Sequence, residues 1–198
     1  RPIAAIPEDR DVARASFGIG PREQCVLVFG GSLGARSINH AALDAFARSP
    51  FRVLHVCGAR DHSALAAREL REGYELISSL PPERFAAALL AADLVVARAG
   101  GSVFEIAASG VPAILVPYPH AAADHQLGNA AWMADAGAAA VIADDALDAP
   151  RLAAEVDALL ADPERLGRMA RAARGLARPD AALEVARELL AAAEARER

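Results

Sequence analysis

The chain has 198 residues, 54% of them hydrophobic and 24% charged, with a formal net charge of −5. That length suits one domain able to bury a substantial core, and the acidic balance argues against a nucleic-acid binder, whose surface needs a clustered basic excess. Apolar runs are broken by charge or proline well before the roughly 18 residues of a membrane-spanning helix.

All 21 cationic side chains are arginine, a composition bias that says little about mechanism. The sequence opens on Arg1-Pro2 rather than Met and shows no signal peptide, so it reads as a piece of a longer protein. Two cysteines, Cys25 and Cys57, fall in apolar runs where a thiol behaves as a small hydrophobic group. They make neither a disulfide framework nor a zinc spacing, which fits a reducing cytoplasm.

In chain order, residues 1–7 read as an extended entry segment and residues 8–17 as a short helix stopped by Gly18 and Gly20. Residues 24–29 form a continuous apolar run of the kind found in strands covered on both faces. The glycine turn Gly30-Gly31-Ser32-Leu33-Gly34 and a helix over 37–47 follow. Four more strand and helix pairs come next: 52–57 with 63–71, 74–77 with 82–92, 94–97 with 103–109, and 112–116 with 126–136. A sixth strand at 138–142 completes the series, and helices at 151–160, 163–177 and 180–194 end the chain. Regular alternation of this kind implies an α/β fold, a doubly wound six-stranded parallel sheet with right-handed crossovers and extra C-terminal helices. Residues 1–198 read as one domain. Arg165, Arg168, Arg171, Arg174 and Arg178 put a basic face on the middle terminal helix, read as a solvated face because acidic residues surround it.

In the common strand order 3-2-1-4-5-6, the loops after strands 1 and 4 flank the point where a ligand crevice opens. Those loops carry Gly30, Gly31 and Gly34, and Gly100, Gly101 and Ser102. Glycines let the backbone approach a ligand, and amides at a helix start suit a diphosphate. Ser32 stands where a dinucleotide fingerprint needs its second glycine, which disfavours a nicotinamide-dependent dehydrogenase.

Glu105 falls in the first helical turn after strand 4, where its two oxygens can accept from both hydroxyls of a ribose. Ser102 through Glu105 is equally a capping box. The loop from His120 to Gln126 sets imidazole, carboxylate and amide groups beside the same crevice, suited to sugar hydroxyls, while Asp124 also fits an N-cap. His120, Asp124 and His125 are of metal-ligand type but lack a second cluster, so no metal is expected. Ser32 lies outside a nucleophile elbow.

These residues resemble a known family. Gly30-Gly31-Ser32-Leu33-Gly34-Ala35-Arg36, Arg98-Ala99-Gly100-Gly101-Ser102-Val103-Phe104-Glu105, and Pro117-Tyr118-Pro119-His120 with Asp124-His125-Gln126 and Asn129 are similar to the carboxyl-terminal domain of the MurG family. That family comprises bacterial transferases that add N-acetylglucosamine to undecaprenyl-linked muramyl-pentapeptide. The resemblance implies the Rossmann-like donor half of a GT-B glycosyltransferase, with UDP-N-acetylglucosamine as ligand and no cofactor.

By the same resemblance, Gly31, Ser32 and neighbouring amides would hold the diphosphate. Gly101, Ser102, Val103 and Phe104 would line the nucleotide, and Glu105 would take the ribose diol. Gln126 would hold the sugar with Asn129 and His125 in support, and the turn at Pro82 would meet the uracil. The catalytic base, the lipid I acceptor and contact with the inner face of the plasma membrane are implied for an amino-terminal domain absent from this chain. Two departures stand out: Ala4 where the family often has an arginine, and a loop before Glu105 one residue short, with Ser102 in place of a threonine. Another GT-B UDP-sugar transferase, a UDP-N-acetylglucosamine epimerase and a non-catalytic sugar-nucleotide module are the alternatives.

Overall fold

The computed structural model describes residues 9–31, 34–178 and 180–196. The expected entry segment at 1–7, including Ala4, lies outside them, as do Ser32 and Leu33. Six strands form one sheet: β1 (Cys25–Phe29), β2 (Arg52–Val56), β3 (Tyr74–Ile77), β4 (Leu94–Ala97), β5 (Ala113–Leu115) and β6 (Ala139–Val141). Their order is β3-β2-β1-β4-β5-β6, with every pairing parallel. The doubly wound sheet expected from the alternation is therefore the fold observed.

The continuous apolar run of β1 is explained by cover on both faces, since all five of its residues are buried. Cys25, Leu27 and Phe29 face one cluster with Leu54, Val95 and Ala97. Helices α1 (Arg10–Ala15), α4 (Pro82–Ala91), α5 (Val103–Ser109) and α6 (His125–Asp135) supply Ala13, Leu89, Ile106 and Met133 to that side or its edge. Val26 and Val28 face the other cluster, with Val53, Val96 and Ile114. There α2 (Arg36–Ala45) and α7 (Ala149–Leu160) contribute Ile38, Leu43, Leu152 and Leu159. Alternate side chains of one strand thus fill two separate cores, as the period of two requires.

Helix α1 is tied to the base of the sheet through Asp93. Arg10 Nη2 donates to Asp93 Oδ1 at 2.6 Å, Arg14 Nη1 to Oδ2 at 3.3 Å, and the Cys25 amide to Oδ2 at 2.8 Å. Both cysteines are free and buried. Burial, with the Asp93 carboxylate second, pushes the Cys25 thiol up to about 12, so it stays protonated at neutral pH.

One helix departs from its expected bounds by more than two residues. The helix expected at 63–71 is α3 (Ala59–Leu65), which begins as soon as Gly58 turns the chain at φ 87. Its first turn buries Asp61, and residues 66–71 are a turn and irregular chain instead of more helix. Arg71 braces that segment, donating to the carbonyls of Phe46 (3.0 Å) and Phe51.

Helices α8 (Pro163–Leu176) and α9 (Ala181–Arg196) close the chain. The basic face of α8 is partly paired, Arg165 with Glu155 at 3.7 Å and Arg168 with Glu164 at 3.8 Å. On α9, Leu183, Val185, Leu189 and Leu190 are exposed. Among the described residues, no helix is long and apolar enough to cross a membrane.

Candidate functional site

The carboxyl ends of β1, β4 and β5, with the turns after β2 and β3, enclose a crevice of about 1280 Å³. Pockets for small ligands usually occupy about 300–1,000 Å³, so this one has room for an elongated, multi-part molecule. Its walls are the β1 turn (Gly30, Gly31, Gly34 to Ser37), residues 78–85 around the start of α4, and the β4 turn with α5 (Arg98, Gly100, Gly101, Ser102, Glu105). Tyr118, Gln126, Arg60 and Asp144 complete them.

Chain geometry explains the tightness of the β1 turn. Gly34 has φ 75, and a Cβ there would lie 2.1 Å from the carbonyl oxygen of Cys57. Only glycine permits both that backbone conformation and that approach, so the turns after β1 and β2 are pressed together.

Of the residues expected at the site, Gly31, Pro82, Gly101, Ser102, Glu105 and Gln126 line this one crevice. Ser102 is the N-cap of α5, but its side chain makes no capping hydrogen bond, so the serine half of the capping box is not formed. Glu105 lies in the first turn of α5. Gln126 Oε1 accepts from the Tyr118 amide at 2.9 Å. With its oxygen so engaged, the Gln126 amide is oriented, and its Nε2 lies 4.0 Å from where a Cβ on Gly100 would be.

Among the other expected residues that the structure describes, Val103, Phe104, His125 and Asn129 do not line the crevice. Val103 is buried in the core under α5. Phe104 is exposed and packs against Trp132, ring centroids 5.3 Å apart. Asn129 Nδ2 donates to the carbonyls of Ala99 (2.9 Å) and Gly100 (3.5 Å), clamping the β4 turn from below. His125 Nδ1 lies 2.8 Å from the Ala122 carbonyl; a carbonyl only accepts, so Nδ1 carries a proton. Just before it, Ala123 (φ 50) and Asp124 (φ 51) take left-handed conformations that cost non-glycine residues about 1–2 kcal/mol each. Asp124 makes no side-chain cap to α6. Among the described residues, no group of three or more His, Cys, Asp or Glu is placed to hold a metal ion.

Sequence reasoning missed the most connected side chain of the site. Arg98, buried at the end of β4, donates from Nη1 to Asp144 Oδ1 (2.6 Å) and to the carbonyls of Val116 (3.2 Å) and Pro117 (3.3 Å). Its Nη2 donates to Ser37 Oγ at 2.7 Å, and that hydroxyl in turn donates to Asp144 Oδ1 at 2.7 Å. The guanidinium also lies 5.3 Å from the centroid of the Tyr118 ring. One cation therefore joins the start of α2, the end of β5 and the segment after β6. Arg36, Arg60, Ser37 and Asp144 were likewise not anticipated; an arginine directly after an apolar strand was the available signal.

Comparison with known proteins decides the family. Residues 25–185 match the model of the glycosyltransferase family 28 C-terminal domain.

The chain belongs to this family.

It is 47% identical over 181 residues to the UDP-N-acetylglucosamine--N-acetylmuramyl-(pentapeptide) pyrophosphoryl-undecaprenol N-acetylglucosamine transferase of Alkalilimnicola ehrlichii, covering 87% of this chain and 50% of that protein. The like-named protein of Moorella thermoacetica is 42% identical over 187 residues, covering 89% and 50%. Among solved structures, MurG of Acinetobacter baumannii superposes with a TM-score of 0.75 at 31% identity, over 90% of this chain and 52% of that one. The chain thus spans about half the length of the family 28 relatives it matches.

Proposed function

We propose that this chain is the donor-binding half of an inverting glycosyltransferase that moves N-acetylglucosamine from UDP-N-acetylglucosamine to lipid I. One observation carries the reading: Glu105 and Gln126, from the helices after β4 and β5, line the same crevice, with the Gln126 amide oriented by Tyr118. A carboxylate that accepts from two ribose hydroxyls and an amide that donates to sugar oxygens divide the work of recognising a nucleotide sugar. The names of the relatives supply the sugar and the acceptor.

In this reading the β1 turn, with Gly31 and Ser32, and the start of α5, with Gly101 and Ser102, face the diphosphate. The turn at Pro82 meets the uracil. Val103 and Phe104 support the nucleotide wall from behind, and Asn129 supports it by holding the carbonyls of Ala99 and Gly100. His125 supports the sugar side.

The acceptor hydroxyl attacks the anomeric carbon, the bond from that carbon to the diphosphate oxygen breaks, and UDP departs with the bonding pair. Helix-start amides stabilise the charge that develops on the diphosphate. The hydroxyl's proton passes to a base on a preceding acceptor domain, which also meets the lipid at the inner face of the plasma membrane.

Calorimetric titration of the chain with UDP-N-acetylglucosamine, UDP-glucose and UDP tests this. Selective binding of the N-acetyl sugar is expected. In Glu105→Ala, with circular dichroism unchanged, loss of charge-assisted hydrogen bonds should weaken binding by about 10- to 100-fold, or about 1.5–3 kcal/mol. Native affinity in Glu105→Ala would sink the ribose assignment. Equal affinity for both sugars would move the reading to another UDP-sugar enzyme.

A further inference from the structure

Charge is distributed unevenly around the crevice. Glu83 of α4 and Glu105 of α5 line it beside one core, whereas Arg36 of α2 and Arg60 of α3 line it beyond the β1 turn. Arg98 adds no net charge, because Asp144 lies 2.6 Å away.

Arg36 and Arg60 share a single carboxylate. Arg36 Nε donates to Asp61 Oδ1 at 3.1 Å; Arg60 donates from Nε to the same oxygen at 3.2 Å and from Nη2 to Oδ2 at 3.3 Å. Asn39 Nδ2 donates to Oδ2 as well, at 3.2 Å. The hydrogen bonds from Arg60, ahead of those from Arg36, hold the Asp61 carboxyl below its ordinary range, so it is ionised at neutral pH. Two guanidinium ions on one carboxylate leave one positive charge uncompensated.

Fold stability does not account for that surplus. The Arg36 and Arg60 side chains are 70% and 48% exposed, and ion pairs so open to water contribute little to stability. With Asn39 already donating to Asp61, one arginine would satisfy the carboxylate. The second charge has instead a position that suits a ligand. Arg36 follows the glycine turn of β1, Arg60 stands in the first turn of α3 just after β2, and the contact of Gly34 with the Cys57 carbonyl presses the turns after β1 and β2 together.

We propose that Arg36 and Arg60, paired over Asp61, form the cationic edge of the crevice that binds the diphosphate of a nucleotide ligand. This rests on the nucleotide-sugar reading above and extends it to two side chains that the family resemblance does not assign. The arginines neutralise a phosphate charge that amides alone would meet only with partial charges. Their exposure makes the contribution salt-dependent.

The test is calorimetric titration of uridine, UMP and UDP into the native chain, Arg36→Gln, Arg60→Gln and the triple variant Arg36→Gln/Arg60→Gln/Asp61→Asn, at low and at high salt. The triple variant leaves no buried carboxylate without a cation, and melting curves check its fold. Each single variant and the triple variant remove the one surplus charge, so each is expected to weaken UDP about three- to tenfold, with uridine within twofold of native and a flatter salt dependence for UDP. Native UDP affinity in the triple variant would overturn the assignment and leave the nucleotide reading standing. A proportionate loss of uridine would make the pair structural and overturn it too. Should the native chain bind neither uridine nor UDP, the nucleotide reading itself fails, and this one with it.

Discussion

Arg98 organises the crevice because a guanidinium presents its N–H donors in a rigid plane, and here that plane meets two carbonyls, a hydroxyl and a carboxylate at once. Removing it strands the Asp144 carboxylate and three neutral acceptors in a water-poor setting. Arg98→Ala is therefore expected to lower unfolding stability by about 2–4 kcal/mol in urea denaturation. Arg98→Lys should recover only part, since a point charge cannot reach all four partners. Full recovery by lysine would show that charge alone matters there. Glu105 and Gln126 were legible in the sequence because each stands at a helix start after an apolar run, a local pattern. Arg98 was not, because its partners Ser37 and Asp144 lie 61 and 46 residues away.

At the scale of elements, β2, β3, α2 and α3 are joined by a line of buried polar groups beneath the site. Asn39 Nδ2 donates to the Cys57 carbonyl (3.0 Å) and to Asp61, so Asn39 Oδ1 must accept, and the His55 nitrogen 3.0 Å from it, Nε2, carries the proton. His55 Nδ1 is then bare and accepts from the Tyr74 hydroxyl at 2.7 Å. Burial drives His55 from its ordinary 6.5 down to about 4. Between those values the unfolded chain binds a proton that the folded chain refuses. His55 thus contributes fully above about pH 6.5, and up to about 3 kcal/mol of stability is lost as pH falls toward 4. Asp61, whose pKa is lowered, adds its own loss only below the ordinary carboxylate range. Urea unfolding from pH 7.5 to 4 should show that slope, and in His55→Gln it should disappear over the same window. A slope that persists in the variant would place the titration elsewhere. This line of groups also accounts for the misplaced start of α3. Periodicity pointed to Ser63, whereas Gly58 and the burial of Asp61 against Asn39 start the helix earlier, and a contact with α2 leaves no trace in local spacing.

For the whole molecule, strand order was legible because alternating strands and helices admit few topologies once crossovers are right-handed. The unequal roles of the two terminal helices were less so, as α8 packs on α5 whereas α9 shows its leucines to solvent. The sheet makes a further demand. β1 is central, pairing Val26 with Val53 on one side and with Leu94 on the other, so neither core closes until β4 is in place. A fragment ending at residue 92 holds three of the six strands and is expected to melt without a cooperative transition by circular dichroism, whereas the full chain should unfold in one. A sharp transition in the fragment would show that the first three units form an independent nucleus.

The same register bears on how the chain is made. Synthesis at about 5–20 residues per second delivers Cys25 to Phe29, every one of them buried in the end, about 3–14 s before their second neighbour emerges. For that interval the most apolar ribbon of the protein has an open edge at the ribosome. Slower translation between β1 and β4 would lengthen its exposure to other nascent chains without altering one contact of the finished molecule.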